Sequence, residues 1–344
     1  MTLEIRYHIE IYNDAPAALT GPQPDGVVYY NWRDYDAVTH PADIFVTWRY
    51  PISAPIGRSA RYGTYVWLHD ILEPFKQFPA ADVFRGAFVG SRFHSGIVPT
   101  GMRALVTPNG LDARYFVDGP NLAHTLVYTS APNRGLVEVL RAWPLIRSAV
   151  PVRLYVYYGF TEAFSKWAKS NMENYTLWEA RVRELLQQAC CRCVECALAV
   201  RRALSLSAQD GVVYVGHKDQ TQIATALASA GFAVYPTSFE ETGCISMMKA
   251  MAMGAIPITS RYEGSVLPEL TDRFDLGPPA RRGRIDGDDD WLVEWAGAVI
   301  AAVRNGTLAD HREAMKKWAR RTLTWAHVAS SWSDEFDTIS RLSA

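Results

Sequence analysis

Tyr235-Pro-Thr-Ser-Phe-Glu-Glu-Thr-Gly-Cys-Ile-Ser-Met-Met-Lys-Ala-Met-Ala-Met-Gly254, followed by Ala-Ile-Pro-Ile-Thr259, is the stretch on which the fold turns. A short apolar strand, Ala233–Tyr235, ends in a loop that holds an acid. A helix of small residues and methionines covers about Ser246–Met253, and a Gly-x-x-Pro turn leads into a buried strand, Ile256–Thr259. Strand, loop, helix and strand in this order are the unit of a parallel α/β sheet. A helix start after a strand is a ready anion site, because its unbonded N–H groups and its dipole favour a phosphate. Gly243 and Cys244 are small enough to let a ligand approach the backbone. Glu241, acceptor-only when ionised, suits a hydroxyl-rich ligand. The plainer alternative is an ordinary βα turn with a surface glutamate, and these residues alone leave both open.

Outward from this segment the same alternation continues. Upstream lie a strand at Thr125–Tyr128, the loop Ser130-Ala-Pro-Asn-Arg-Gly135, a helix from Gly135 to about Ala149, and strands at Arg153–Tyr158 and Val212–Val215. A long helical stretch is expected over roughly Thr161–Leu206. Further upstream, Ile5–Tyr12, Gly26–Tyr30, Ala42–Trp48, Thr64–Leu68, Phe84–Gly90 and Ala104–Thr107 read as strands separated by Pro, Gly, Asn and Asp turns. Downstream, Trp291–Arg304 is an amphipathic helix. The tail Leu308–Leu342 is helical, with Trp318, Trp325 and Trp332 at seven-residue intervals that would set three rings on one face. The expected organisation is α/β: a domain at 1–120, a second at 121–320 with a helical insertion near 161–206, and a last helix at 321–344 that packs back on the first.

The chain's 344 residues exceed one ordinary domain, and its 49% hydrophobic content fits a globular protein. A formal net charge of −1 lacks the basic excess of nucleic-acid binders. No apolar run reaches the length of a membrane span, and no secretory leader pattern is seen at the start. Five cysteines, four of them bunched, do not form a secreted disulfide framework. The expected setting is therefore cytoplasmic, with peripheral membrane attachment and a homodimer left open.

Several ordered motifs together resemble the retaining, group 1 (family 4) glycosyltransferases of the GT-B architecture. Glu241 matches the first acid of their E-x7-E region, and Ala250-Met251-Ala252-x-Gly254 with Pro257 matches its downstream half. Thr107-Pro-Asn-Gly-Leu-Asp112 with Phe116 resembles the segment that closes the family's first domain. Ser130–Gly135 with Leu140 and Ala142 resembles its cationic loop and helix, and Gly216 its strand end at the nucleobase pocket. Trp67-Leu-His69-Asp70 resembles its first-domain histidine, and the tail around Trp325 its crossing helix.

The resemblance implies two Rossmann-like domains facing each other across a cleft. It implies a hexosyl-type transferase acting with retention on a nucleotide-sugar donor, such as a UDP- or GDP-sugar, without metal or other cofactor. The acceptor it implies, whether glycan, lipid or protein, is not fixed by these residues. Glu241 would orient the sugar and His69 would act near it. Arg134 would hold the departing diphosphate, with Ser130, Gly243, Cys244, Ile245 and Ser246 around it, and Gly216 would line the base pocket.

Two departures from the pattern stand out. Lys249 occupies the second acid's place; it has three donors and no acceptor, so the ribose contact cannot form unchanged, although the lysine could reach a donor phosphate. The opening strand, Gly-rich turn and helix of the first domain are not recognisable, so a shortened first domain is expected. A milder one is Thr129, where many members keep an arginine. These features favour as the alternative a catalytically weak or inactive relative that binds nucleotide sugars or scaffolds a partner. Cys190-Cys191-x-Cys193-x-x-Cys196 has thiolate-ligand spacing, but its helical setting favours helix thiols over a metal site. Asp286-x-Asp288-Asp289-Asp290 is better explained as a helix N-cap than as a metal motif.

Overall fold

The computed structural model describes residues 7–14, 20–23, 27–49, 56–71, 81–187 and 211–342. It divides into two compact units. Unit 1 is Met1–Gly90, Ser95–Thr107 and Val328–Ala344, and unit 2 is Ser91–His94 and Pro108–His327.

In unit 1, β1 (Glu10–Asn13), β2 (Gly21–Pro22) and β3 (Val28–Asn31) form a small sheet in the order β1-β3-β2. A second sheet, wholly parallel, runs β4 (Ile44–Trp48), β5 (Gly63–Trp67), β6 (Phe84–Val89), β7 (Ala104–Val106). Strand alternation sends successive side chains to opposite faces. Val66, Leu68, Ala87 and Val89 pack with Phe84 in one cluster, while Tyr65 and Phe88 join Ile339 in another. The second cluster is completed by Trp332 and Phe336 of the chain's last helix, and Trp332 stacks on Phe88 at 4.0 Å. Within that cluster's border Glu335 accepts from the Tyr65 hydroxyl at 2.9 Å and from both terminal nitrogens of Arg103.

Unit 2 is built on β8 (Leu122–Tyr128), β9 (Arg153–Tyr157), β10 (Val212–Gly216), β11 (Ala230–Tyr235) and β12 (Ile256–Thr259), all parallel, in the order β10-β9-β8-β11-β12. The connecting helices are α1 (Leu136–Ala149), α2 (Glu162–Asn171), α3 (Tyr175–Gln187), α4 (Gln220–Ser229), α5 (Ile245–Met253) and α6 (Leu267–Thr271). They are followed by α7 (Asp289–Arg304) and α8 (Ala309–Thr322). The strand order reverses between β8 and β11. In doubly wound sheets that reversal opens a crevice at the strands' C-terminal ends, where ligands bind.

Three expectations need correction. The helical stretch from Thr161 breaks at Met172–Asn174, where Asn174 takes a left-handed φ of 57° that asparagine tolerates and a helix does not. Beyond Gln187 that expectation, with Cys190–Cys196, lies outside the described residues. The tail is two helices, α8 and then α9 (Trp325–Leu342), parted at Leu323–Thr324, where Thr324 bridges Leu111. The three tryptophans therefore do not share a face: Trp318 packs against Phe274 in unit 2, Trp325 is 43% exposed, and Trp332 belongs to the unit 1 cluster. Helix α4, capped by Asp219 and Gln222 in a reciprocal box, and the early start of β8 at Leu122 are additions to the expected elements. The acidic run behaves as an N-cap: Asp288 accepts from the Trp291 N–H at 2.9 Å.

Candidate functional site

The strands that flank the reversal, β8 and β11, both end in a buried tyrosine, Tyr128 and Tyr235. After Tyr128 the chain makes the loop Thr129–Gly135, which the Tyr128 hydroxyl holds by donating toward the carbonyls of Ala131 at 2.6 Å and Arg134 at 3.0 Å. Gly135 takes φ of 100°, and a Cβ there would meet the Pro236 carbonyl oxygen at 1.9 Å, so the two loops pack backbone against backbone. Only glycine permits both features.

This close approach sets Arg134 beside Glu241. The Arg134 Nη1 donates to Glu241 Oε1 at 2.9 Å, and its guanidinium carbon lies 3.9 Å from the Phe239 ring centre. The Tyr235 hydroxyl donates to the same carboxylate oxygen at 2.5 Å and receives the Ser130 hydroxyl at 3.3 Å. Glu241 is 7% exposed, so its charge needs these partners. Burial opposes the charge on Arg134, but Glu241 and its neighbours outweigh it and hold the guanidinium above its ordinary value. Burial, then the Glu241 carboxylate, pushes the Tyr235 hydroxyl well above its usual range, which keeps it a donor.

Helix α5 starts beside this pair. Cys244 is its N-cap residue and supplies no side-chain cap bond. Its thiol is pushed well above the ordinary range, by burial first and Glu241 second, and stays protonated. Ser246 donates toward the Thr129 carbonyl at 3.4 Å, Ile245 is 42% exposed, and the Gly243 carbonyl accepts from Asn109 at 3.1 Å. Ser130, Arg134, Glu241, Gly243, Cys244, Ile245 and Ser246 thus gather around one end of the sheet.

Lys249 lies farther along α5. Its ammonium donates to Gln220 at 2.5 Å, and burial lowers its pKa. It lines a small hollow with Leu111, Asp112, Tyr115 and Phe116. Gly216 ends β10 at φ of 77°. His69 belongs to unit 1, where its Nε2 accepts from the Trp48 indole at 2.9 Å. Its pKa is lowered by burial and then by Arg49. Among the described residues no cluster of three His, Cys, Asp or Glu could hold a metal, and no helix is long and apolar enough to cross a membrane.

Tyr128, Tyr235 and Phe239 were not singled out by sequence reasoning. The available signal was a tyrosine closing the apolar end of each of two strands, a position where a buried ring still needs a partner for its hydroxyl.

No family model and no curated protein matches the chain. Solved structures do. A chain of the GtfA/B complex superposes with a TM-score of 0.60 at 13% identity, over 88% of this chain; this chain spans only 58% of that one. HepE of Anabaena, in complex with UDP and glucose, gives 0.57 at 14% identity over 92% of this chain and 86% of its own. A glycosyltransferase from Rickettsia africae ESF-5 gives 0.68 at 11% identity over 96% and 89%. The fold is accordingly the α/β, GT-B fold with parallel Rossmann-like sheets.

Proposed function

We propose that the chain is a nucleotide-sugar-dependent glycosyltransferase that works with retention and without a metal. The observation that carries this reading is the Arg134–Glu241 pair, seated at the strand-order reversal beside the start of α5. Bond breaking leaves negative charge on a departing diphosphate. A guanidinium offers five N–H donors, and with Nη1 on Glu241 it still has others for phosphate oxygens. The first N–H groups of α5, which no side chain caps, add a second set. Glu241, fixed by Arg134 and Tyr235, keeps acceptor capacity for sugar hydroxyls. HepE, crystallised with UDP and glucose, makes UDP-sugars the first donors to try.

A second reading, a donor-binding module with little or no turnover, is favoured by Lys249, which puts an ammonium where the resembled pattern has an acid. The deciding experiment incubates the chain with a panel of UDP- and GDP-sugars and follows nucleotide release and thermal shift. The transferase reading expects slow release with at least one donor and its loss in Arg134→Ala. A thermal shift without release favours the binding module. Neither signal with any donor removes both.

A further inference from the structure

We propose that Trp48, Arg49 and Asp70 of unit 1 form a platform for a neutral saccharide. The further step, that the acceptor is a glycan rather than a lipid or protein, rests on the transferase reading above.

Strands β4 and β5 are parallel and end side by side, with Trp48 opposite Trp67 in register. These are C-terminal ends of a parallel sheet, where ligands are usually taken. Trp48 is 65% exposed. A single exposed aromatic ring needs no account by itself. Here, however, the ring's only polar atom is spent on His69, and the two rings meet edge-on at 6.0 Å and 81°. The exposed surface is thus carbon, held in one orientation.

The next residue, Arg49, has a left-handed φ of 68°. That conformation is costly for a residue with a Cβ. It is kept by the Arg49 N–H, which donates to the Trp67 carbonyl at 2.7 Å, and by a two-pronged contact to Asp70. Both charged side chains are about two-fifths exposed, at 43% and 41%. The bidentate ion pair and the backbone hydrogen bond together hold the residue in this conformation.

What the strain does achieve is geometry. A carboxylate that accepts and a guanidinium that donates are locked to each other, with the guanidinium on the residue next to a fixed aromatic ring. Neighbouring ring hydroxyls of a sugar need both kinds of partner, and the sugar's C–H face needs an apolar plane. The Asp70 charge disfavours a phosphate, and a single ring is too little apolar surface for an acyl chain.

The test uses the full-length chain with 15N-labelled tryptophan, titrated with maltose, cellobiose, chitobiose and lactose. The Trp48 indole signal is identified by its loss in Trp48→Phe. At least one disaccharide should shift that signal, and Trp48→Ala and the isosteric Asp70→Asn should each weaken its binding about tenfold or more. If no probe moves the signal, or if both variants melt normally and bind as the parent does, the platform is overturned. Binding of UDP, GDP and their sugars is read in parallel by thermal shift. Nucleotide binding without saccharide binding overturns the platform and leaves the transferase reading standing. Saccharide binding without nucleotide binding upholds the platform and removes the transferase reading.

Discussion

Glu138, 8% exposed in the first turn of α1, carries a carboxyl pushed up from 4.5 to about 7. Burial is the main cause, and Asp286 adds to it against the pull of Arg141. The folded state keeps the proton over a range where the unfolded chain has released it. Its contribution to stability is therefore full below pH 4.5 and is lost as pH rises through about 7. Glu138→Gln should abolish this dependence and raise stability at pH 8 by roughly 3 kcal/mol while changing little at pH 4; urea midpoints at the two pH values read it. Tyr235→Phe removes one of two donors to Glu241 and leaves Arg134 in place. We expect nucleotide release to fall about tenfold with UDP affinity nearly unchanged; a loss of affinity of the same size would show that Tyr235 only supports the fold. Lys249→Glu restores an acceptor and should tighten UDP binding, as isothermal titration would show. Glu241 and Arg134 were singled out through the resemblance of their motifs, since the residues alone left an ordinary βα turn equally open. Tyr235 was not, because its role exists only once β8 lies beside β11.

Gly135 shows the same limit at the scale of elements. Its place between a strand-end loop and a helix reads as a turn, but its contact with the Pro236 carbonyl is a property of two loops packed together. Gly135→Ala would combine a disallowed φ with a backbone clash and should lower stability by roughly 2–4 kcal/mol. Denaturant midpoints would measure that, and UDP binding should fail with it because Arg134 is the preceding residue. The strands were largely legible, since apolar runs between Gly, Pro and Asp turns leave few alternatives. The helices were legible in their existence and less so in their ends. Gln220–Ser229 is so rich in Ala, Thr and Ser that no apolar stripe announces it. The break at Leu323–Thr324 carries no Gly or Pro; it is fixed by the bridge from Thr324 to Leu111 and by the Trp325 ring packed against Gly110.

For the molecule as a whole, the parallel α/β class followed from alternation alone, whereas a last helix packing back on the first domain was expected only through the family resemblance. The sheet of unit 1 is finished by residues from the far end of the sequence. Trp332, Phe336 and Ile339 of α9 recur at helical spacing and cover Tyr65 and Phe88, while Glu335 accepts from Tyr65 and Arg103. The Arg103 hydrogen bond first, then Tyr65, draws the Glu335 carboxyl below its ordinary value, so its stabilising effect is present above that value and lost as pH falls. Unit 2 has its own large core, in which these residues take no part. A chain ending at His327 should therefore lose the tertiary signature of unit 1, seen as a missing calorimetric transition and a weaker near-ultraviolet dichroism from Tyr65 and its neighbours. It should still bind UDP through Arg134 and α5, with an affinity within about threefold of the parent. A single transition lost in full, together with UDP binding, would mean that unit 2 does not hold its fold without α9.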